Sequence, residues 1–254
     1  MSQQKSSCIF CGGFGKKSKE HIWAQWTHDL LPAAQDYYRI TNLGLPRQEG
    51  WNRQGGTKDI ELRNVCKDCN SGWMSRLENE IKPLLTEMIC GRDVGLSDEH
   101  KAMLTRYLMM KIFVCDAHNN ADILFSMENR RHFFSDRVIP SGVEIALHKY
   151  KIDHDEVPQY YKDFVLHGRR DGSILYHCGF LLRIGNLLVQ LRACSPPLPP
   201  IPTEKGYDSF ELWPPNDEML LWPPPLNLSK QRALFIQTGV GTLLAQVREI
   251  SKGA

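Results

Sequence analysis

Two Cys-x-x-Cys pairs, Cys8/Cys11 and Cys66/Cys69, stand 54 residues apart in the chain. This pattern constrains the fold more than any other feature. Four thiols brought to one tetrahedral point tie two distant segments into a closed clip. Both pairs lie beside Gly, Lys or Asp (Gly12, Gly13, Lys67, Asp68), the setting of a metal knuckle rather than an apolar core. Two unrelated pairs of core cysteines, or a redox motif in one pair alone, are the competing readings. The spacing predicts a structural Zn²⁺ held by Cys8, Cys11, Cys66 and Cys69, a closed site that does no chemistry itself. The remaining cysteines, Cys90, Cys115, Cys178 and Cys194, have no partner spacing and read as buried small hydrophobes.

The opening residues lack the apolar stretch of a secretory signal, and eight Cys without one argue against a disulfide framework. The expected compartment is a reducing cytoplasm. No apolar run is long enough for a membrane span. With 24% charged and 42% hydrophobic residues the chain is globular rather than disordered. A net charge of +2 neither requires nor excludes nucleic acid. Lys16, Lys17 and Lys19, however, form a local cationic patch suited to phosphates. Arg130–Arg131 and Arg169–Arg170 are weaker candidates of the same kind.

Helical spacing over 22–35 predicts a first helix, the glycines of 44–58 a loop, and Asp59–Val65 a short strand. A helix follows from Cys69 or Asn70, with Pro83 expected to kink it. Ser97 caps a long helix to about Cys115. One face carries Met103, Leu104, Tyr107, Leu108, Lys111, Ile112 and Cys115, and the other, Met109, Met110 and Phe113, is also apolar, which predicts deep burial. A shorter helix covers Ser126–Ser135. Beyond residue 140 the pattern turns to strands, with a hairpin at Gly185–Asn186. The Pro-rich run 195–202 reads as a stiff extended crossing.

Glu20-His21 lies between the two Cys pairs. A metal-assisted phosphodiester hydrolysis needs a base near neutral pKa and a cation to neutralise the scissile phosphate. Adjacent strand residues point to opposite sides, so His21 and Glu20 can divide those tasks only with further ligands. Asn70 follows the last thiol, and Glu78 lies about two helical turns on, broadly on the same face. Against this, His21 can be a surface residue, Asn70 a helix N-cap and Glu78 a solvated acid. Trp23, Trp26 and Trp73 read as the mini-core of a small zinc domain before they read as base-stacking groups.

The order Cys-x-x-Cys, acid-His, Cys-x-x-Cys-Asn resembles the HNH endonucleases, the zinc-stapled branch of the ββα-metal nucleases. Cys69-Asn-Ser-Gly-Trp73-Met-Ser-Arg-Leu-Glu78 looks like a bacterial subgroup of stand-alone HNH proteins. The likeness covers residues 8 to about 85. It implies His21 as the general base and Glu20 and Asn70, with Glu78 beside them, as holders of a catalytic Mg²⁺ or Mn²⁺. It also implies DNA as the partner, with Lys16, Lys17 and Lys19 on its phosphates. A homodimer or partner defence proteins in anti-phage immunity belong to the same implication. The acid before the histidine is more often Asp in that family, and Asn64 is the only asparagine just before the second Cys pair. The expected organisation is α+β: an HNH module with the four-cysteine zinc site over 1–90, a helical bridge over 91–138, and a mainly β domain over 139–254. A non-catalytic zinc module on nucleic acid, or a protein-interaction subunit, are the alternatives.

Overall fold

The computed structural model describes residues 7–30, 37–43, 52–56, 61–117, 124–150, 160–168, 174–195, 209–215 and 219–227. The fold is α+β. In the first part, β1 (Glu20–His21) pairs antiparallel with β4 (Glu61–Leu62), and β2 (Tyr37–Leu43) and β3 (Asn52–Gly56) lie between them in sequence. The short helix α1 (Lys67–Cys69), a wide turn at Asn70–Met74 and α2 (Ser75–Ile89) follow. Then come β5 (Val94–Leu96), α3 (Asp98–Asp116), α4 (Met127–Asp136) and the strands β6 (Val143–Lys149), β7 (Tyr160–Gly168), β8 (Ile174–Ile184), β9 (Leu187–Ser195), β10 (Ser209–Trp213) and β11 (Leu220–Trp222).

A seven-stranded sheet runs in the order β10-β6-β9-β8-β7-β2-β3. All its pairings are antiparallel except β2 on β7, which is parallel. Two strands from the first ninety residues thus extend the sheet of the last hundred. The 44–58 stretch is not wholly loop: Asn52–Gly56 is a strand in which Gly55 and Gly56 face Tyr38 and Tyr37. β3 is the outermost strand of the order.

Helix boundaries follow their caps. The Ser97 hydroxyl accepts from the His100 N–H at the start of α3, and Ser126 with Asn129 forms a reciprocal capping box on α4. Two expectations change. The 22–35 helix is instead a tight 3₁₀ turn at Gln25–Leu30, closed at its head by the Thr27 N–H on Ala24 O at 2.9 Å. The break in the long helix falls at Asn70–Met74, where Gly72 takes φ −93° and ψ −109°, and not at Pro83. Pro83 sits on the exposed side of an unbroken α2, where a missing N–H leaves its would-be acceptor open to water.

One hydrophobic cluster runs from Cys8 to Trp222. α3 passes through it, with Tyr107, Leu108, Met109, Met110, Ile112 and Phe113 all buried, as an apolar helix without a polar face requires. The β8–β9 hairpin docks on the end of α2: Asn186 N–H donates to Ile89 O at 2.9 Å. A Cβ at Gly185 (φ +53°) would lie 2.5 Å from that carbonyl, so the turn needs glycine. β11 pairs with β5 and binds the C-terminal segment to the helical region. Both Trp-Pro-Pro elements end strands, where proline cannot continue the ladder. Cys115 is buried as expected, Cys90 and Cys194 are only partly so, and the side chain of Cys178 lies outside the described residues. The Pro-rich run beyond Ser195 and Arg169–Arg170 also lie outside them. Among the described residues no helix is long and apolar enough to cross a membrane.

Candidate functional site

The four sequence-predicted thiols meet. The Sγ atoms of Cys8, Cys11, Cys66 and Cys69 all lie within 4.8 Å of one another, with three of the residues buried and Cys11 exposed. The first knuckle closes by Cys8 N–H to Gly13 O (2.8 Å) and Gly12 N–H to Cys8 O (3.0 Å), with Gly12 at φ +72°. The second knuckle is the head of α1, where Cys66 itself is the N-cap and accepts from Cys69 N–H at 3.5 Å. Backbone N–H groups also point at Cys8 (from Cys66, 3.4 Å) and Cys11 (from Gly13, 3.4 Å). A zinc bound to four sulfurs at about 2.3 Å sets its ligands about 3.8 Å apart, and Cys11 and Cys66 Sγ stand 3.7 Å apart. The cluster can hold a metal ion and suits structural zinc. Burial would raise the Cys8 thiol, but the backbone donors of Cys66, Cys11 and Phe10 outweigh it and bring it to about 7. Burial pushes Cys66 and Cys69 up.

Beside the cluster, the 16–21 segment runs antiparallel to 61–67. Ser18 N–H donates to Val65 O at 2.9 Å and Lys67 N–H to Lys16 O at 2.8 Å. The thiols therefore fix the strand that carries Glu20 and His21. Cross-strand partners share a face, so Glu20 lies with buried Leu62 and half-buried His21 lies with Glu61. Lys19 pairs with Glu61 at 2.9 Å, and that hydrogen bond holds the Glu61 carboxyl below its usual range. Asn64, the asparagine just before the second Cys pair, donates to Val114 O at 2.7 Å.

Asn70 is not the helix N-cap. It closes α1, and its Nδ2 donates to Ser18 Oγ (2.5 Å) and Lys19 O (3.3 Å), which pins the helix to the entry of β1. Lys17 is structural too, donating to Ser7 O at 2.6 Å and Asn64 O at 3.3 Å, so it is not a free phosphate contact. Lys16 and Lys19 remain exposed. Arg130 is buried against Asp116 at 3.2 Å, an ion pair inside the core rather than a nucleic-acid contact. Arg131 is exposed, with its guanidinium against Gly12. Trp23 and Trp73 are core, as expected: Trp73 meets Phe10 edge-on at 5.0 Å.

Sequence reasoning gave no role to Lys111. Its Nζ lies 2.5 Å from Glu20 Oε1, 2.6 Å from Glu78 Oε1 and 3.1 Å from His21 O, with the Tyr107 ring centroid at 5.6 Å. Lys111 is 1% exposed. Burial would discharge it, but the Glu20 and Glu78 carboxylates and Tyr107 hold its pKa well above the ordinary lysine value. Burial also lifts the Glu20 carboxyl, against the pull of Lys111. The 2.5 Å contact opposes that rise, because an ammonium this close stabilises the carboxylate directly. The signal was a lysine at a helical position otherwise assigned to the core.

The divalent ion expected of Glu20, Asn70 and Glu78 does not fit this donor set. The position between the two carboxylates is taken by an ammonium. Asn70 has committed its nitrogen to Ser18 and Lys19 and offers one neutral oxygen. The chain has no match among known protein families, curated proteins or solved structures.

Proposed function

We propose that the chain is a DNA endonuclease of the HNH type that hydrolyses phosphodiester bonds. The observation that supports it is the thiol cluster clamping the Glu20-His21 strand between β4 and the head of the α1–α2 helix, with His21 on the half-exposed face. His21 takes the proton from an attacking water, whose oxygen bonds to phosphorus as the P–O bond to the leaving sugar oxygen breaks, and that oxygen takes its proton from solvent. Exposed Lys16 and Lys19 contact the flanking phosphates. Four thiolates saturate a zinc, so the metal contributes folding energy and offers no open position. One such site cuts one strand, and a monomer nicks.

The Lys111 triad favours a second reading, a zinc module that binds nucleic acid without cutting it, since an ammonium already occupies the position between the two carboxylates. Supercoiled plasmid incubated with wild type and with His21→Ala separates the two. Nicking by wild type that is lost in a His21→Ala protein still able to bind DNA supports the nuclease. DNA binding with no nicking by either supports the binding module.

A further inference from the structure

We propose that the Lys111 ammonium is the resident cation of the Glu20–Glu78 pocket, standing in for a divalent metal ion, and that the pocket takes such an ion only when this lysine is removed. Three oxygens converge on Nζ: Glu20 Oε1 at 2.5 Å, Glu78 Oε1 at 2.6 Å and the His21 carbonyl at 3.1 Å. Two carboxylates and a carbonyl around one positive atom are the donors of a hard-cation site.

Lys111 cannot step aside for a metal. It sits in the middle of α3, where Met110, Ile112 and the residues around them are buried. An ammonium leaving the pocket would enter the apolar core unpaired, a loss that a weakly held ion does not offset. The ammonium also lowers the pocket from two negative charges to one, which weakens attraction for any second cation at the outer oxygens. Glu78 is the most open member, its side chain 22% exposed, so an ion has a route in once the lysine is gone.

This inference stands apart from the nuclease reading, because it concerns metal binding without nucleic acid. The probe is Mn²⁺, which prefers oxygen donors and leaves the thiolate cluster alone. The zinc-loaded full chain is titrated with Mn²⁺ and the free ion is followed by electron paramagnetic resonance. In wild type, Glu20→Gln should change Mn²⁺ binding little. Lys111→Ala should bind Mn²⁺ at least about tenfold more tightly than wild type, and Lys111→Ala/Glu20→Gln should lose that gain. A folded Lys111→Ala protein that binds no more tightly than wild type overturns the proposal. So does a wild-type Mn²⁺ site that Glu20→Gln abolishes. Should Lys111→Ala fail to fold, the comparison of wild type with Glu20→Gln decides: no Glu20-dependent site in wild type supports the proposal, and such a site contradicts it.

Discussion

Two clusters built to surround a positive charge, one of thiols and one of carboxylates, solve the problem differently. The thiol cluster joins Cys8 and Cys11 to Cys66 and Cys69 with no cationic side chain among its donors. The carboxylate cluster contains its own cation, Lys111, at 2.5 and 2.6 Å from two acids. The first can take an external metal, which would hold distant segments together. The second is self-sufficient and contributes to the core whatever the metal supply. Donor softness separates the two at the outset: thiolates select zinc, and carboxylates and carbonyls select hard cations or an ammonium.

The largest expected effect lies on the thiol side. Cys66→Ser should strip the metal and unfold the N-terminal module, because binding at such sites is folding energy on the order of 10 kcal/mol or more. Zinc content together with circular dichroism melting reads this out, and full zinc with an unchanged melt would erase the contrast between the clusters. Next comes His21→Ala, which should lower plasmid nicking by about 10²–10⁴-fold with zinc content and DNA binding retained. Cleavage within about tenfold of wild type would remove His21 as the base.

On the carboxylate side, Lys111→Met should cost about 3–5 kcal/mol, since it strands a buried carboxylate, and the denaturant midpoint measures it. Adding Glu20→Gln should return part of the loss, because the neutral amide has less to lose by burial. The pH sign follows from the raised Lys111 pKa. Its stabilisation is fully present below the ordinary lysine value, about 10.4, and is lost as pH rises through the higher folded-state value. The stability gap between wild type and Lys111→Met should therefore hold across neutral pH and close in strong alkali. The thiol cluster should respond at the other end: Cys66 and Cys69 are held protonated without metal, so zinc uptake releases protons and weakens as pH falls. Titrating proton release on zinc addition checks this.

How much of this was legible in the sequence depended on distance along the chain. The Ser97 cap and the Gly185–Asn186 turn are local signals, and each appears where the residues place it. Burial of α3 was legible because its apolar residues cover both faces. The function of Lys111 was not, because its partners Glu20 and Glu78 lie 91 and 33 residues away. Nothing in a helical period says which acids a core lysine will meet. The parallel pairing of β2 with β7 was hidden for the same reason. At Asn70 the local rule misled: an Asn at a helix head reads as a cap, but the preceding thiol residue Cys66 holds that position.

Asn70 carries the smallest prediction. Asn70→Ala removes the bonds to Ser18 Oγ and Lys19 O and should cost about 1 kcal/mol with zinc retained. A melting curve with parallel metal analysis checks it, and loss of zinc would show that Asn70 supports the thiol cluster rather than the strand.

The contrast between the clusters is tested most directly by elemental analysis of wild-type protein equilibrated with Zn²⁺ and Mn²⁺ together and then freed of loose metal. The account predicts about one zinc per chain and no retained manganese. Retained manganese at about one per chain, or protein that stays folded with no zinc, would contradict it.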